Sequence, residues 1–213
     1  MLFKKSLWIF SAFCLCFFNA LPTTPVILSA SEKEAAMNEA GEEVAVLILA
    51  KKKVTIVGAD GKKRKGKIKA KVYTGDTIIT GKKSLAQVLF KGGTLFKFAP
   101  NTSFVVNDYV FDEKKKEGKF DGSLEKGTLS TITGGIGKIA PQNYKVQTST
   151  ATIGIRGTAF AANSTRVQVK SGTVAVTNNE TGQFAIVAEG KQIETESMTI
   201  KNIESHDLED KVD

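Results

Sequence analysis

Between residues 44 and 190 the chain is written in short runs, in which apolar residues alternate with polar ones or stand together for a few positions. Val54-Thr-Ile-Val57, Ser84-Leu-Ala-Gln-Val-Leu-Phe90, Thr94-Leu-Phe-Lys-Phe98 and Ser103-Phe-Val-Val106 come first. Tyr144-Lys-Val-Gln-Thr148, Arg166-Val-Gln-Val-Lys170 and Thr173-Val-Ala-Val-Thr177 follow. A two-residue period sends successive side chains to opposite faces, which suits strands with one face buried. Turn-forming pairs separate the runs: Asp60-Gly61, Gly75-Asp76, Gly92-Gly93, Pro100-Asn101, Ser171-Gly172 and Asn178-Asn179. All 19 glycines lie between Gly41 and Gly190, and with Pro100 and Pro141 they leave little room for ordinary helices. The pattern predicts an all-β fold, a single sandwich or roll of many short strands. Within it, Lys170-Ser-Gly-Thr173 predicts a hairpin closed by a two-residue Ser-Gly turn.

The ends are written differently. Lys4 and Lys5 precede the apolar run Leu7-Trp-Ile-Phe-Ser-Ala-Phe-Cys-Leu-Cys-Phe-Phe18, which Asn19, Pro22 and Pro25 bring to a close. A basic start, about a dozen apolar residues and a breaker are the parts of a secretory signal peptide. The run is shorter than the ~20 residues of a typical spanning helix. Residues 1–30 are therefore expected to be removed, with cleavage after Ala30 and Ala20 as the alternative site. That leaves a periplasmic or secreted chain with no stable membrane span; retention of the segment as an anchor is the other outcome. Residues 31–50 read as a linker or short helix, 51–191 as the β domain, and 192–213 as an acidic tail.

Composition narrows the chemistry. Thirty Lys and Arg against 22 Asp and Glu give a formal charge of +8. The two cysteines, Cys14 and Cys16, and the single tryptophan, Trp8, all fall within the signal segment, and the single histidine is His206. The exported chain then lacks the residues for a cysteine nucleophile, a Cys or multi-His zinc site, or a Ser-His-Asp triad in its main domain. No disulfide supports the fold either, so a core of its own must hold it together.

From Gly75 onward an ordered series of blocks stands out. It runs Gly75-Asp-Thr-Ile-Ile-Thr80, Ser84 to Phe90, Gly93-Thr-Leu95, Ala99-Pro-Asn-Thr-Ser103, Leu124-Glu-Lys-Gly127 and Gly134-Gly-Ile-Gly-Lys138. Val146-Gln-Thr148, Ala151-Thr-Ile-Gly-Ile-Arg-Gly-Thr-Ala-Phe160, Val167 to Val176 and Glu189-Gly-Lys191 complete it. The series resembles the FecR-domain family of bacterial extracytoplasmic proteins over about residues 51–191. It departs at Lys91-Gly92-Gly93, where an Asp-Gly turn is common, and at Thr148-Ser149, where Thr-Pro is common. The resemblance implies a β domain that senses or binds an envelope partner. In the founding members a cytoplasmic segment that controls a sigma factor precedes one membrane helix. Here only six residues precede the apolar run, so an exported domain without that segment is expected.

Gly154 and Gly157 flank Arg156 and, with Thr158, suggest a bulge or close backbone approach that aims one cation. Such an arginine either grips a ligand or ties down nearby carbonyls or a carboxylate, and the second, structural role is the expectation. Gly61-Lys-Lys-Arg-Lys-Gly66-Lys67 has phosphate-loop spacing, but Ile68 stands where Ser or Thr must hold magnesium. No nucleotide, metal or other cofactor is expected. Lys62, Lys63, Arg64, Lys65 and Lys67 belong to a wider basic stretch with Lys51-Lys52-Lys53. It reads as a solvated hairpin or as a contact for an anionic envelope polymer. Aromatics do not interleave with these cations, so nucleic acid is not expected as a partner. Asp60, Asp76 and Asp108 sit at turns or strand ends, where Asp caps backbone N–H groups. The sequence thus predicts a non-enzymatic binding, sensing or scaffolding module with an envelope protein or anionic polymer as partner. The alternatives are a membrane-anchored regulator of the FecR type and a carboxylate-dependent cell-wall or polysaccharide hydrolase.

Overall fold

The computed structural model describes residues 41–203, so the expected signal segment, the first part of the expected linker and the last ten residues, His206 included, lie outside the described residues. Sixteen strands fill the described chain. They are β1 (Glu43–Lys51), β2 (Val54–Val57), β3 (Lys63–Lys65), β4 (Lys71–Tyr73), β5 (Thr77–Thr80) and β6 (Leu85–Phe90). Next come β7 (Leu95–Phe98), β8 (Ser103–Asp112), β9 (Glu117–Lys126), β10 (Leu129–Ile132) and β11 (Tyr144–Gln147). The last are β12 (Ala151–Ala162), β13 (Arg166–Asn178), β14 (Phe184–Ala188), β15 (Lys191–Glu194) and β16 (Thr199–Asn202). One helical turn, α1 (Ile136–Ile139), sits between β10 and β11. The all-β expectation is met.

The strands join one curled sheet along the path β3-β2-β5-β8-β9-β11-β12-β10-β7-β6-β1-β4, with β13 to β16 extending it from β12. Pairing is antiparallel except for β11 with β9. Because β3 and β4 are neighbours in sequence, the two ends of the path lie close, and the sheet rolls around a single core. Phe90, Phe96, Phe98, Phe104 and Phe120 are buried at its centre with Tyr109 and Tyr144. Their rings pack in stacked and edge-on pairs, such as Phe120 on Tyr144 at 4.7 Å between centroids and Phe90 against Phe120 at 5.3 Å. Aromatic pairs of this kind add ~0.5–1.5 kcal/mol each beyond the area they bury. Gly122 makes the packing possible, since a Cβ there would lie 2.4 Å from the Phe104 ring.

Three sequence expectations need correction. Lys170-Ser-Gly-Thr173 does not reverse the chain: β13 runs straight through it and pairs with β12 from Ala162↔Val167 to Ala151↔Asn178. Gly172 has the positive φ of a turn residue (79°), but Gly157 across the ladder has one as well (63°). Together they form a shared irregularity at which the register shifts between Arg156 and Phe160 and both long strands bend. Residues 43–50, expected in a linker or short helix, belong to β1, whose Val44, Ala45 and Leu47 are buried. Its run is nearly all apolar, and the extra residue Ile48 at a register shift conceals the two-residue period. The acidic tail expected over 192–213 begins instead as β15 and β16, with Ile193 buried and Gln192 bonded through its side chain to Gln168 (2.8 Å).

Candidate functional site

Most of the blocks that mark the sequence form joints of the scaffold. Gly134 and Gly135 lie on Gly92-Gly93: Gly135 N–H donates to the Gly92 carbonyl (2.7 Å), and Gly134 N–H donates to Thr94 Oγ1 (3.1 Å). A Cβ on Gly134 would lie 2.3 Å from the Gly92 carbonyl oxygen, so neither backbone could approach with a side chain there. The Ala99-to-Ser103 block meets Leu124-to-Gly127 in the same way, with Thr102 Oγ1 donating to the Ala99 carbonyl (2.8 Å) and accepting from Thr128 N–H (3.2 Å). Thr148 Oγ1 accepts from Ala151 N–H (2.9 Å) and holds the turn into β12.

Arg156 departs from this pattern. The chain has three arginines; Arg64 pairs with Asp76 and Arg166 with Glu194 (3.1 Å), whereas Arg156 is exposed and has no hydrogen-bond or ion-pair partner among the described residues. The carbonyl or carboxylate tie expected of it is not found among the described residues. Its guanidinium lines a groove of about 510 Å³ with Pro141, Gln142, Thr173, Ala175 and Ile186. The register explains the hollow: Lys145, Gly154, Ala175 and Ile186 lie in one row across β11 to β14, and the two middle positions carry a hydrogen and a methyl group. Gly154 is thus a floor residue. Gly157 bends the strand just beyond, and Thr158 turns inward, where its Oγ1 is buried without a partner among the described residues.

Beyond the groove lies an open edge. Among the described residues strand β14 pairs with β13 alone. Asn178 N–H donates to the Gln183 carbonyl (2.8 Å), which fixes the hydrogen-bonded pairs and turns the backbone groups of Phe184, Ile186 and Ala188 outward. The side chains of Phe184 and Ile186 are 62% and 53% exposed, and the strand has no charge or proline to blunt its edge. Sequence reasoning did not single out Ile186 or β14, although Phe184-Ala-Ile-Val-Ala188 is a legible apolar run.

The basic hairpin splits into two kinds of residue. Arg64 points inward from β3: it donates to the Lys71 carbonyl (3.3 Å), lies over the Tyr73 ring (5.1 Å) and pairs with the buried Asp76, which also accepts from Tyr73 N–H (2.8 Å). It latches β3 to β4, the two ends of the curled sheet, so this expected contact residue is engaged in the scaffold. Lys63, Lys65 and Lys67 remain exposed, and Lys62 pairs with Asp60 (3.0 Å).

The carboxylates are held in structural roles. Asp108 and Asp121 face each other on β8 and β9, but Lys119 takes the first (2.6 Å) and Lys145 the second (3.3 Å). Burial pushes the Asp121 carboxyl upward, and hydrogen bonds from Asn107, Gln147 and Lys145 outweigh it and leave the group below the ordinary range. A general acid needs the opposite shift. Burial drives the phenols of Tyr109 and Tyr144 well above their ordinary range, so both stay neutral packing groups. Among the described residues no group of three or more His, Cys, Asp or Glu is placed to hold a metal ion, and no helix is long and apolar enough to cross a membrane.

These features define a one-sheet β domain whose marked glycines and threonines serve the scaffold and whose outer face carries an unpaired guanidinium. Residues 76–180 match the family model described as FecR protein, so the chain carries a FecR domain over that segment. No curated protein matches it. Two crystal structures of a "putative anti-sigma factor" from Parabacteroides distasonis are similar at 16% identity, with TM-scores of 0.47 and 0.48. In each case the similarity covers 62% of this chain and 62% of the other.

Proposed function

We propose that this chain is a non-catalytic regulatory domain of the FecR type, exported to the periplasm or beyond, that works by binding an extended segment of an envelope protein. The observation that carries the reading is Arg156, without a partner among the described residues, lining a groove together with Ile186 of the edge strand β14. An added strand would take the outward backbone groups of Phe184, Ile186 and Ala188, with an apolar side chain over Ala175 and a carboxylate on Arg156. Main-chain bonds of this kind supply affinity, and the groove and the guanidinium supply selection. The FecR match and the engaged state of the Asp carboxylates support regulation over hydrolysis.

The test is capture from envelope extract with the wild-type chain, Arg156→Ala and Ile186→Asp, with thermal melting as the control. Both variants should melt like the wild type and lose the same captured protein. Capture of that protein by all three chains alike would overturn the reading.

A further inference from the structure

A second surface, away from the groove, is built from three turns that are far apart in sequence. Gly81 N–H donates to the Lys53 carbonyl (2.9 Å) and Lys53 N–H donates to Ser84 Oγ (3.1 Å), which joins the β1–β2 turn to the β5–β6 turn. Gly66 N–H donates to the Val54 carbonyl (2.9 Å) and Lys69 N–H to the Leu47 carbonyl (2.7 Å), which adds the β3–β4 turn. The result is one tip carrying Lys51, Lys52, Lys53, Lys65, Lys67, Lys69, Lys82 and Lys83, all exposed and none with a side-chain partner among the described residues. Six of them precede the segment that matches the FecR family.

Two details point to what the tip meets. Lys52, Lys69 and Lys83 have positive φ (60°, 68° and 54°), half of the six non-glycine residues in that conformation among the described residues. A left-handed turn position favours Gly or Asn, so a lysine there places charge against the backbone's preference. Exposed apolar side chains also stand among the cations: Ile68 between Lys67 and Lys69 is 61% exposed, and Ile48, beside the Leu47 that bonds Lys69, is 40% exposed. A soluble polyanion has no use for an exposed isoleucine between two lysines, whereas a bilayer takes the apolar group below its headgroups and the ammonium groups at their level.

We propose that this tip docks on an anionic lipid surface, with Ile68 entering the headgroup layer and the eight lysines of the tip at headgroup level. The docking is independent of the groove and would orient the domain with β14 on a different part of its surface.

The test is flotation of the full chain with vesicles of equal parts phosphatidylglycerol and phosphatidylcholine, against vesicles of phosphatidylcholine alone. The readout is the ratio of the two, because the apolar segment Leu7–Phe18 contributes to both. The triple variant Lys52→Gly, Lys69→Gly, Lys83→Gly should lose about a hundred-fold in that ratio, at about five-fold per lysine near an anionic surface. It should melt at or above the wild-type temperature, since each glycine relieves a left-handed residue. Ile68→Ser should lose about ten-fold in binding to the mixed vesicles while leaving any retention on soluble polyphosphate unchanged. An unchanged ratio for the triple variant would overturn the proposal. So would Ile68→Ser binding the mixed vesicles like the wild type, with polyphosphate displacing both, which would assign the tip to a soluble polyanion.

Discussion

Gly157 and Gly172 face each other at the bend of β12 and β13, and replacing each by alanine separates two costs that usually come together. Both have positive φ, 63° and 79°. A left-handed alanine costs ~1–2 kcal/mol, of which ~0.4–1 kcal/mol is returned because alanine also stiffens the unfolded chain. At Gly157 nothing lies within 4 Å of the added methyl, so Gly157→Ala should cost only that difference, about 1 kcal/mol. At Gly172 the methyl would lie 2.4 Å from the Gly157 carbonyl oxygen and 2.8 Å from Thr158 Cγ2. That oxygen is backbone and moves only if the bend opens, which adds ~1–3 kcal/mol of overpacking. Gly172→Ala should therefore cost about 2–4 kcal/mol in total. Urea titration of the two variants beside the wild type reads the difference directly, and thermal melting should show ~2–4 °C lost per kcal/mol for a domain of this size. Equal losses, or a larger loss at Gly157, would mean that the two strands do not close on each other at this point and would refute the bend.

Removing the Arg64 latch should be costly in a way that removing its neighbours is not. Arg64→Ala leaves the buried Asp76 without its cation and should cost ~3 kcal/mol, whereas Lys63→Gln and Lys65→Gln should stay within ~0.5 kcal/mol by the same urea titration. Thr158→Val keeps the shape and removes a buried hydroxyl that has no partner among the described residues, so the melting temperature should hold or rise, by the equivalent of up to ~1 kcal/mol. Asp60, Asp112 and Asp121 are all held below the ordinary carboxylate range. A depressed folded-state value stabilises above the unfolded value of ~3.9 and is lost as pH falls through the folded one, so stability should decline below about pH 4. Asp121→Asn should flatten that decline, and an Asn variant with the wild-type acid profile would show that its hydrogen bonds do not hold the charged form.

Much of the fold was legible because its signals are local. Asp60-Gly61, Gly75-Asp76, Gly92-Gly93 and Pro100-Asn101 fall between strands, and Asn178-Asn179 falls at the end of β13, as turn chemistry requires. Ser171-Gly172 has the same chemistry and misled for a physical reason. A glycine with positive φ serves a reversal and a paired bend equally well, and only the partner strand, with its own Gly157, decides between them. Strand β1 was missed because Val44 to Ala50 is a continuous apolar run, and the register shift at Ile48 hides any alternation in it. The site was less legible still. Arg64 lies in a run of lysines and differs from them only because the sheet curls and brings Lys71, Tyr73 and Asp76 to its inner side. Lys82 and Lys83 joined no sequence patch, since their approach to Lys53 depends on the β1–β6 and β2–β5 pairings.

The division between scaffold and surface also bears on where function resides. The glycine and threonine blocks that identify the family are consumed by close approaches within the fold: Gly134 on Gly92 and Gly127 on Thr102. Each tolerates no side chain for reasons internal to the fold, so these positions mark the architecture whatever the domain binds. Arg156 lies within the sharpest of the blocks and meets no such need. It is exposed, and no described residue pairs with it, although the chain's other two arginines are both paired. The glycines on either side of it do serve the fold, one as the hollow at Gly154 and one as the bend at Gly157, and the effect of both is to present the guanidinium at the end of an open groove. A rigid, five-donor cation held this way, next to a strand edge with unused backbone groups, is matched by an extended chain bearing a carboxylate. The scaffold around Arg156 is thus explained by folding, and the arginine itself is accounted for by the binding proposed above.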